Sequence, residues 1–197
     1  MNAPALNAPI GERRSRFDAL YRDDPDPWAC ATSAYERDKR AATLAVLGER
    51  EYDRALEIGC GTGVLTRELS RRCRVMVALD VSGVALEEAR KQCGTARGVT
   101  FERREVPARW PHGRFDLVIL SEVLYFLDRD EIDEVSRLAH DALEADGECV
   151  LVNWTGENDL PVCGRQAVDL FERAACWHSR RSRETEFYRI DLLRPEL

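Results

Sequence analysis

Lysine is almost missing from this chain: Lys39 and Lys91 are its two copies among 29 basic residues, set against 36 acids in 197 residues. The resulting formal charge of -7 excludes a general affinity for nucleic-acid phosphates, which would need a net basic face. The lysine shortage itself reads as genome composition and carries no functional information. Also missing is any apolar run near the ~20 residues that span a bilayer. Residues 1–12 have neither the basic start nor the apolar stretch of a secretory leader. A cytoplasmic protein without membrane or nucleic-acid partners is expected. The seven cysteines, at 30, 60, 73, 93, 149, 163 and 176, contain no C-x-x-C pair and are odd in number. That spacing indicates neither a zinc site nor a closed disulfide framework, so reduced thiols and no metal are expected.

What is present is the composition of a globular domain, 44% apolar and 33% charged, in a chain long enough for one sizeable core. Residues 1–16 have no periodicity and are expected to be disordered, with order beginning near Phe17. Residues 17–32 read as a short helix, a turn at Asp23 to Pro27 and a loop. Ser33, with Glu36 three residues on, predicts a capping box for a helix to about Leu47, ended by Gly48. Together 17–48 form a helical cap on a domain reaching 197. Strand candidates follow at 54–58, 74–79, 99–103, 115–120, 149–154 and 186–193. Helices are expected at 63–72, 83–93, 131–145 and 164–176; in the third, Ile132, Val135, Leu138, Ala139, Ala142 and Leu143 keep helical spacing before Gly147. Strict alternation of strand and helix implies right-handed crossovers and a doubly wound, mainly parallel α/β sheet.

Leu56 to Gly63 (LEIGCGTG) places Gly59, Gly61 and Gly63 between a strand and a helix, a turn where backbone comes close to a ligand. A dinucleotide loop would read G-x-G-x-x-G, and here the spacing differs. Glu57 decides the matter further. A carboxylate ~4 Å from a pyrophosphate charge is penalised by about 4 kcal/mol at an effective dielectric near 20, whereas it favours the ammonium end of S-adenosyl-L-methionine. Asp80, ending the second strand, is placed to accept both hydroxyls of a ribose, or to form a turn before Ser82 and Gly83. Glu105 and Val106, after the third strand, could offer a carboxylate and an N–H to an adenine edge, or lie on a solvated loop. Cys60, Val81 and Ser121, adjoining these positions, complete the candidate cofactor set.

These residues, with FDLVILSEVLYFL at 115–127, resemble class I methyltransferases, which implies a Rossmann-like seven-stranded sheet in a single domain. YRDDPDPW and SAYERDKR within 21–40, and SEVLYFL at 121–127, further resemble the NodS family of nodulation N-methyltransferases over about 17–155. The resemblance implies methylation of the free amine of a deacetylated chitooligosaccharide. It places Glu57, Gly59, Gly61, Asp80, Glu105 and Val106 at the cofactor, and folds Tyr21 and Trp28 over it. Residues 155–182, which should contact the acceptor, do not match securely.

At the carboxyl edge of the fourth strand, Glu122 is the first candidate for a base or ammonium anchor, with Tyr125 beside it; a surface acid and a core phenol are the plain alternatives. Lys39, with Arg37 and Arg40, is a candidate for the cofactor carboxylate or a solvated helix face. Trp154, Glu157, Asp159 and Arg165 could line an amino-sugar pocket. His112, His140 and His178 are expected to be structural or exposed, and Arg180, Arg181 and Arg183 to protect an edge strand. The competing functions are O- or N-methylation of another metabolite, a non-catalytic S-adenosylmethionine-binding module, and a dinucleotide oxidoreductase.

Overall fold

The computed structural model describes residues 11–94, 96–157, 160 and 162–196. Its centre is a seven-stranded sheet in which short β-branched and leucine-rich runs alternate their side chains between two faces. The strands are β1 (Tyr52–Ile58), β2 (Cys73–Asp80), β3 (Val99–Arg103), β4 (Phe115–Ser121), β5 (Leu143–Trp154), β6 (Trp177–Glu184) and β7 (Tyr188–Pro195). They run in the order β3-β2-β1-β4-β5-β7-β6. All pairings from β3 to β5 are parallel, while β7 is antiparallel to both β5 and β6. The order reverses between β1 and β4, and the crevice at their carboxyl ends is where such sheets bind ligands.

The helices are α1 (Arg13–Asp23), α2 (Ala34–Val46), α3 (Val64–Leu69), α4 (Gly83–Cys93), α5 (Arg129–Ala142) and α6 (Gly164–Ala174). On β4 the period of two is explicit. Val118 and Leu120 join a core with Ile132 and Val135 of α5 and Phe171 of α6, while Leu117 and Ile119 join one with Ala42 and Val46 of α2 and Leu69 of α3. Phe17 and Tyr21 of α1 pack against Ala85 of α4, with Trp28 beside them. The helical cap is therefore fixed by its own aromatic cluster.

Four local expectations are corrected. Helix α1 begins at Arg13, not near Phe17, because Arg13 is buried and its guanidinium binds both oxygens of Glu131 at 3.2 and 2.8 Å; the part of the disorder expectation covering residues 1–10 lies outside the described residues. Ser33 does cap α2, accepting from the Glu36 N–H, but the Glu36 carboxylate turns to Lys39 instead of closing the box. Helix α5 ends at Ala142, and residues 143–148 extend β5, pairing Leu143 with Phe115 across an irregularity. The expected strand 186–193 is half of a hairpin. Its partner β6, WHSRRSRE, is exposed along nearly all its length, so it shows no apolar alternation and escapes detection from pattern.

Among the described residues no helix is long and apolar enough to cross a membrane. None of their His, Cys, Asp and Glu side chains group as a metal site. All seven cysteines are free thiols.

Candidate active site

A cavity of about 1310 Å³ opens at the carboxyl ends of β1 and β4, beneath α1 and α2. Pockets for one small ligand run to roughly 300–1,000 Å³, so this one has room for a cofactor and a second molecule. Tyr21, Trp28, Lys39, Glu57, Gly59, Cys60, Gly61, Asp80, Val81, Glu105, Val106, Ser121, Glu122 and Tyr125, the candidates read from the sequence, all line it.

The glycine turn is tied down by backbone bonds. Gly59 and Cys60 both donate to the Leu79 carbonyl at 2.9 Å, and Gly61 donates to Asp80 Oδ2 at 2.9 Å. Gly59 has φ +76, and a Cβ there would lie 2.2 Å from Val123 Cγ2. Glycine is required at that point because the turn passes directly over the end of β4. A Cβ on Gly61 would come within 3.0 Å of the Tyr21 hydroxyl, which sets how closely α1 approaches the loop.

Two acids beneath this turn form no ion pair with a cation among the described residues. Glu57 is 1% exposed, and Thr66 donates to its Oε2 at 2.6 Å. Burial pushes its carboxyl up to about 7 against that hydrogen bond, and the Asp80 charge adds to the rise. Asp80 is likewise pushed up to about 6 by burial, partly offset by the N–H groups of Ser82 and Gly61. Its Oδ1 accepts from Ser82 N–H at 2.8 Å, so Asp80 both forms the turn and lines the cavity. Each of its oxygens retains an acceptor position for a hydroxyl. Buried acids held this way favour a cationic ligand, whose charge would return them to the ionised form. The residues thus fit a cofactor that carries positive charge and a ribose.

Glu105 is engaged by Arg13, 3.4 Å away, and by Gly11 N–H, so helix α1 is attached to the candidate adenine edge. The same helix carries Asp18, whose Oδ1 accepts from Ser82 Oγ and Gly83 N–H at the start of α4 and whose Oδ2 binds Arg103. Asp18 sits in an arginine-rich helix with no motif around it. Its role appears only when α1 lies across α4.

Just past the end of β4, Glu122 takes the left-handed conformation, φ +59, which a non-glycine residue adopts at a cost of about 1–2 kcal/mol. Its Oε1 meets Lys39 Nζ at 2.6 Å, and its Oε2 accepts from the Tyr125 hydroxyl at 2.5 Å and Trp154 N–H at 2.8 Å. Lys39 also binds Glu36 at 2.8 Å and lies 5.2 Å from the Tyr35 ring centre. Burial alone would lower its pKa; Glu122 and Glu36 reverse that and hold it above the usual lysine range. Lys39 therefore spans two carboxylates. Tyr35 and Glu36 were not singled out as site residues in the sequence, although Glu36 stands one helical turn before Lys39.

Trp154 and Glu157 line the cavity, and Asp159 lies outside the described residues. Trp154 stacks on Phe187, with ring centres 5.6 Å apart. Arg165 pairs with Glu184, Arg37 with Asp38, and Arg40 with Glu68. None of the three histidines lines the cavity, and His140 packs edge-on to Trp177. Arg180, Arg181 and Arg183 lie along the exposed strand β6, away from the cavity.

The strand order and the cavity at the β1/β4 switch point define a class I methyltransferase fold of Rossmann type. Residues 17–155 match the family Nodulation protein S (NodS), and the chain belongs to that family. Nodulation protein S of Bradyrhizobium diazoefficiens is 33% identical over 110 residues, 55% of this chain and 52% of the relative. That of Rhizobium tropici is 29% identical over 103 residues, covering 52% and 43%. The aligned part thus spans about half the length of these curated relatives or less. Among solved structures, the N-methyltransferase NodS from Bradyrhizobium japonicum WM9 in complex with S-adenosyl-L-homocysteine superposes with TM-score 0.78 at 19% identity, over 90% of this chain and 96% of that one. A putative methyltransferase from Pseudomonas syringae superposes with TM-score 0.71 at 30% identity, over 82% and 99%.

Proposed function

We propose that this chain binds S-adenosyl-L-methionine and transfers its methyl group to the amine of an amino sugar, of deacetylated chitooligosaccharide type, or a related small molecule. The observation that carries the reading is one continuous cavity lined both by the Glu57, Gly59 and Asp80 group and by the Glu122, Tyr125 and Lys39 group. Membership of the NodS family and the named activity of its solved member support it. Bound S-adenosylmethionine supplies an electrophilic methyl group on a sulfonium. Glu57 favours the positive charge of the cofactor, Asp80 accepts from ribose, and Tyr21 and Trp28 of the cap exclude water. Most of the acceleration of an in-line displacement comes from alignment and dehydration, which a cavity closed by two helices provides. Glu122 and Tyr125 face the acceptor.

Incubation with labelled S-adenosylmethionine and deacetylated chitooligosaccharides of several lengths tests the reading. Labelled product is expected, and none at any length would sink the chitooligosaccharide version. One observation favours a second reading, methylation of a different small metabolite. The family match stops at residue 155, so Glu157 and Leu160, which line the cavity, fall outside it. Turnover of amine-free acceptors would support that alternative.

A further inference from the structure

Glu122 is the residue the sequence marks for proton removal or for anchoring an ammonium, and the fold surrounds it with donors. A carboxylate offers about four acceptor positions. Three are filled, one by the Lys39 ammonium and two by the Tyr125 hydroxyl and Trp154 N–H. The Lys39, Tyr125 and Trp154 donors occupy the positions through which the carboxylate would reach a substrate proton. A residue held at φ +59 by strands β4 and β5 and helix α2 suits a fixed anchor.

Tyr125 stands differently. Donating its proton to Glu122 aims the hydroxyl and leaves the phenolic oxygen able to accept. Burial first, then the Glu122 charge, hold the phenol far above its ordinary ionisation, so it stays neutral. The remaining ionisable groups around the pair are Lys39, Glu36 and Tyr35 of α2 and Cys30 before it. Lys39 is kept charged, and Glu36 is bound to it. Tyr35 and Cys30 are each pushed up to about 12, chiefly by burial. Lys39, Tyr35 and Cys30 are therefore no ready bases near neutral pH, and Glu36 is taken up by Lys39.

We infer, resting on the amine-methylation reading above, that the acceptor enters as the free amine with its N–H bonded to the Tyr125 oxygen, and that Glu122 is a positioning residue acting through Tyr125. The amine lone pair forms the new N–C bond as the C–S bond breaks and its electrons stay on sulfur. The product leaves as an ammonium ion and gives its proton to water. No proton passes to Glu122 in this step.

The test measures kcat, KM and the pH profile of kcat/KM with deacetylated chitotriose for the wild type, Glu122→Gln, Tyr125→Phe and the double variant. Each single change is expected to lower kcat at least tenfold. The double variant should be no worse than the singles, because the two residues act as one unit. The acid limb should stay at the amine's own pKa in every variant. S-adenosylhomocysteine affinity, from calorimetry, should stay within threefold. A readout free of turnover is the Tyr125 hydroxyl proton in the S-adenosylhomocysteine complex, seen by NMR as a slowly exchanging downfield resonance. It should vanish in Tyr125→Phe and move in Glu122→Gln. Loss of the acid limb in Glu122→Gln, or full kcat in Tyr125→Phe, would overturn the inference; Tyr125→Phe keeps the ring and reads the same link where Glu122→Gln folds poorly. A hydroxyl resonance unmoved by Glu122→Gln would refute the positioning role whatever is methylated. Absence of turnover with every amine would refute the methylation reading and the free-amine entry, leaving the resonance to judge the Glu122 to Tyr125 link.

Discussion

Replacing Glu57 by glutamine is expected to make the cofactor-free protein relatively more stable as pH rises, while weakening cofactor binding. In the unfolded chain this carboxyl ionises near its ordinary 4.5, and in the folded protein burial moves it to about 7. Between those values the folded state holds a proton that the unfolded state has lost. Wild-type stability therefore falls as pH rises from about 4.5 to about 7 and stays low above. The separation is worth about 3 kcal/mol, at roughly 1.4 kcal/mol per pH unit. Glutamine keeps an oxygen for the Thr66 hydroxyl and cannot ionise. Its buried NH₂ adds an offset that does not depend on pH, so the informative quantity is the slope of the stability difference. Urea denaturation of both proteins from pH 4.5 to 8, with equal m-values, should show a difference that opens toward glutamine by about 3 kcal/mol. At pH 8, calorimetric titration with S-adenosylhomocysteine should show at least tenfold weaker binding to the variant, the order expected on losing a charge-assisted contact. A flat difference across that window would mean that Glu57 ionises normally. Unchanged affinity would remove it from the cofactor site.

Asp80→Ala should weaken S-adenosylhomocysteine binding more than tenfold by calorimetry, matching about 1.5–3 kcal/mol for hydrogen bonds to a charged group. Gly59→Ala adds left-handed strain and a contact 2.2 Å from Val123 Cγ2, so urea denaturation should register a loss of about 2–5 kcal/mol. Arg13→Met leaves Glu131 buried without its guanidinium, a state costing about 3–5 kcal/mol. Helix α1 should detach instead, and limited proteolysis should cut within residues 13–23 at least tenfold faster.

Much of this protein is legible in one dimension because its parallel strands are short and apolar and its helices carry local stop signals. The runs at β1, β2 and β4 and the turn at 59–63 announce the sheet, its switch point and a close approach of backbone to ligand. Glu57 and Asp80 are legible too, since they stand at strand ends beside that turn. The hairpin partner β6 was not, because an exposed edge strand has no face to bury and hence no period to read. The start of α1 was missed for a related reason: Arg13 is ordered by Glu105 and Glu131, 92 and 118 residues away.

Sequence by itself determined the fold class, the family and the charge that a cofactor must bring to the glycine turn. Tertiary structure alone decided what becomes of Lys39, Glu36 and Glu122. Read along the chain, they are a helix-face cation, a capping acid and a free carboxylate. Only the packing of α2 across the ends of β4 and β5 joins them into one ion cluster around Tyr125. Pairwise electrostatics at 2.6–2.8 Å depend on which surfaces meet, and local pattern carries no record of that.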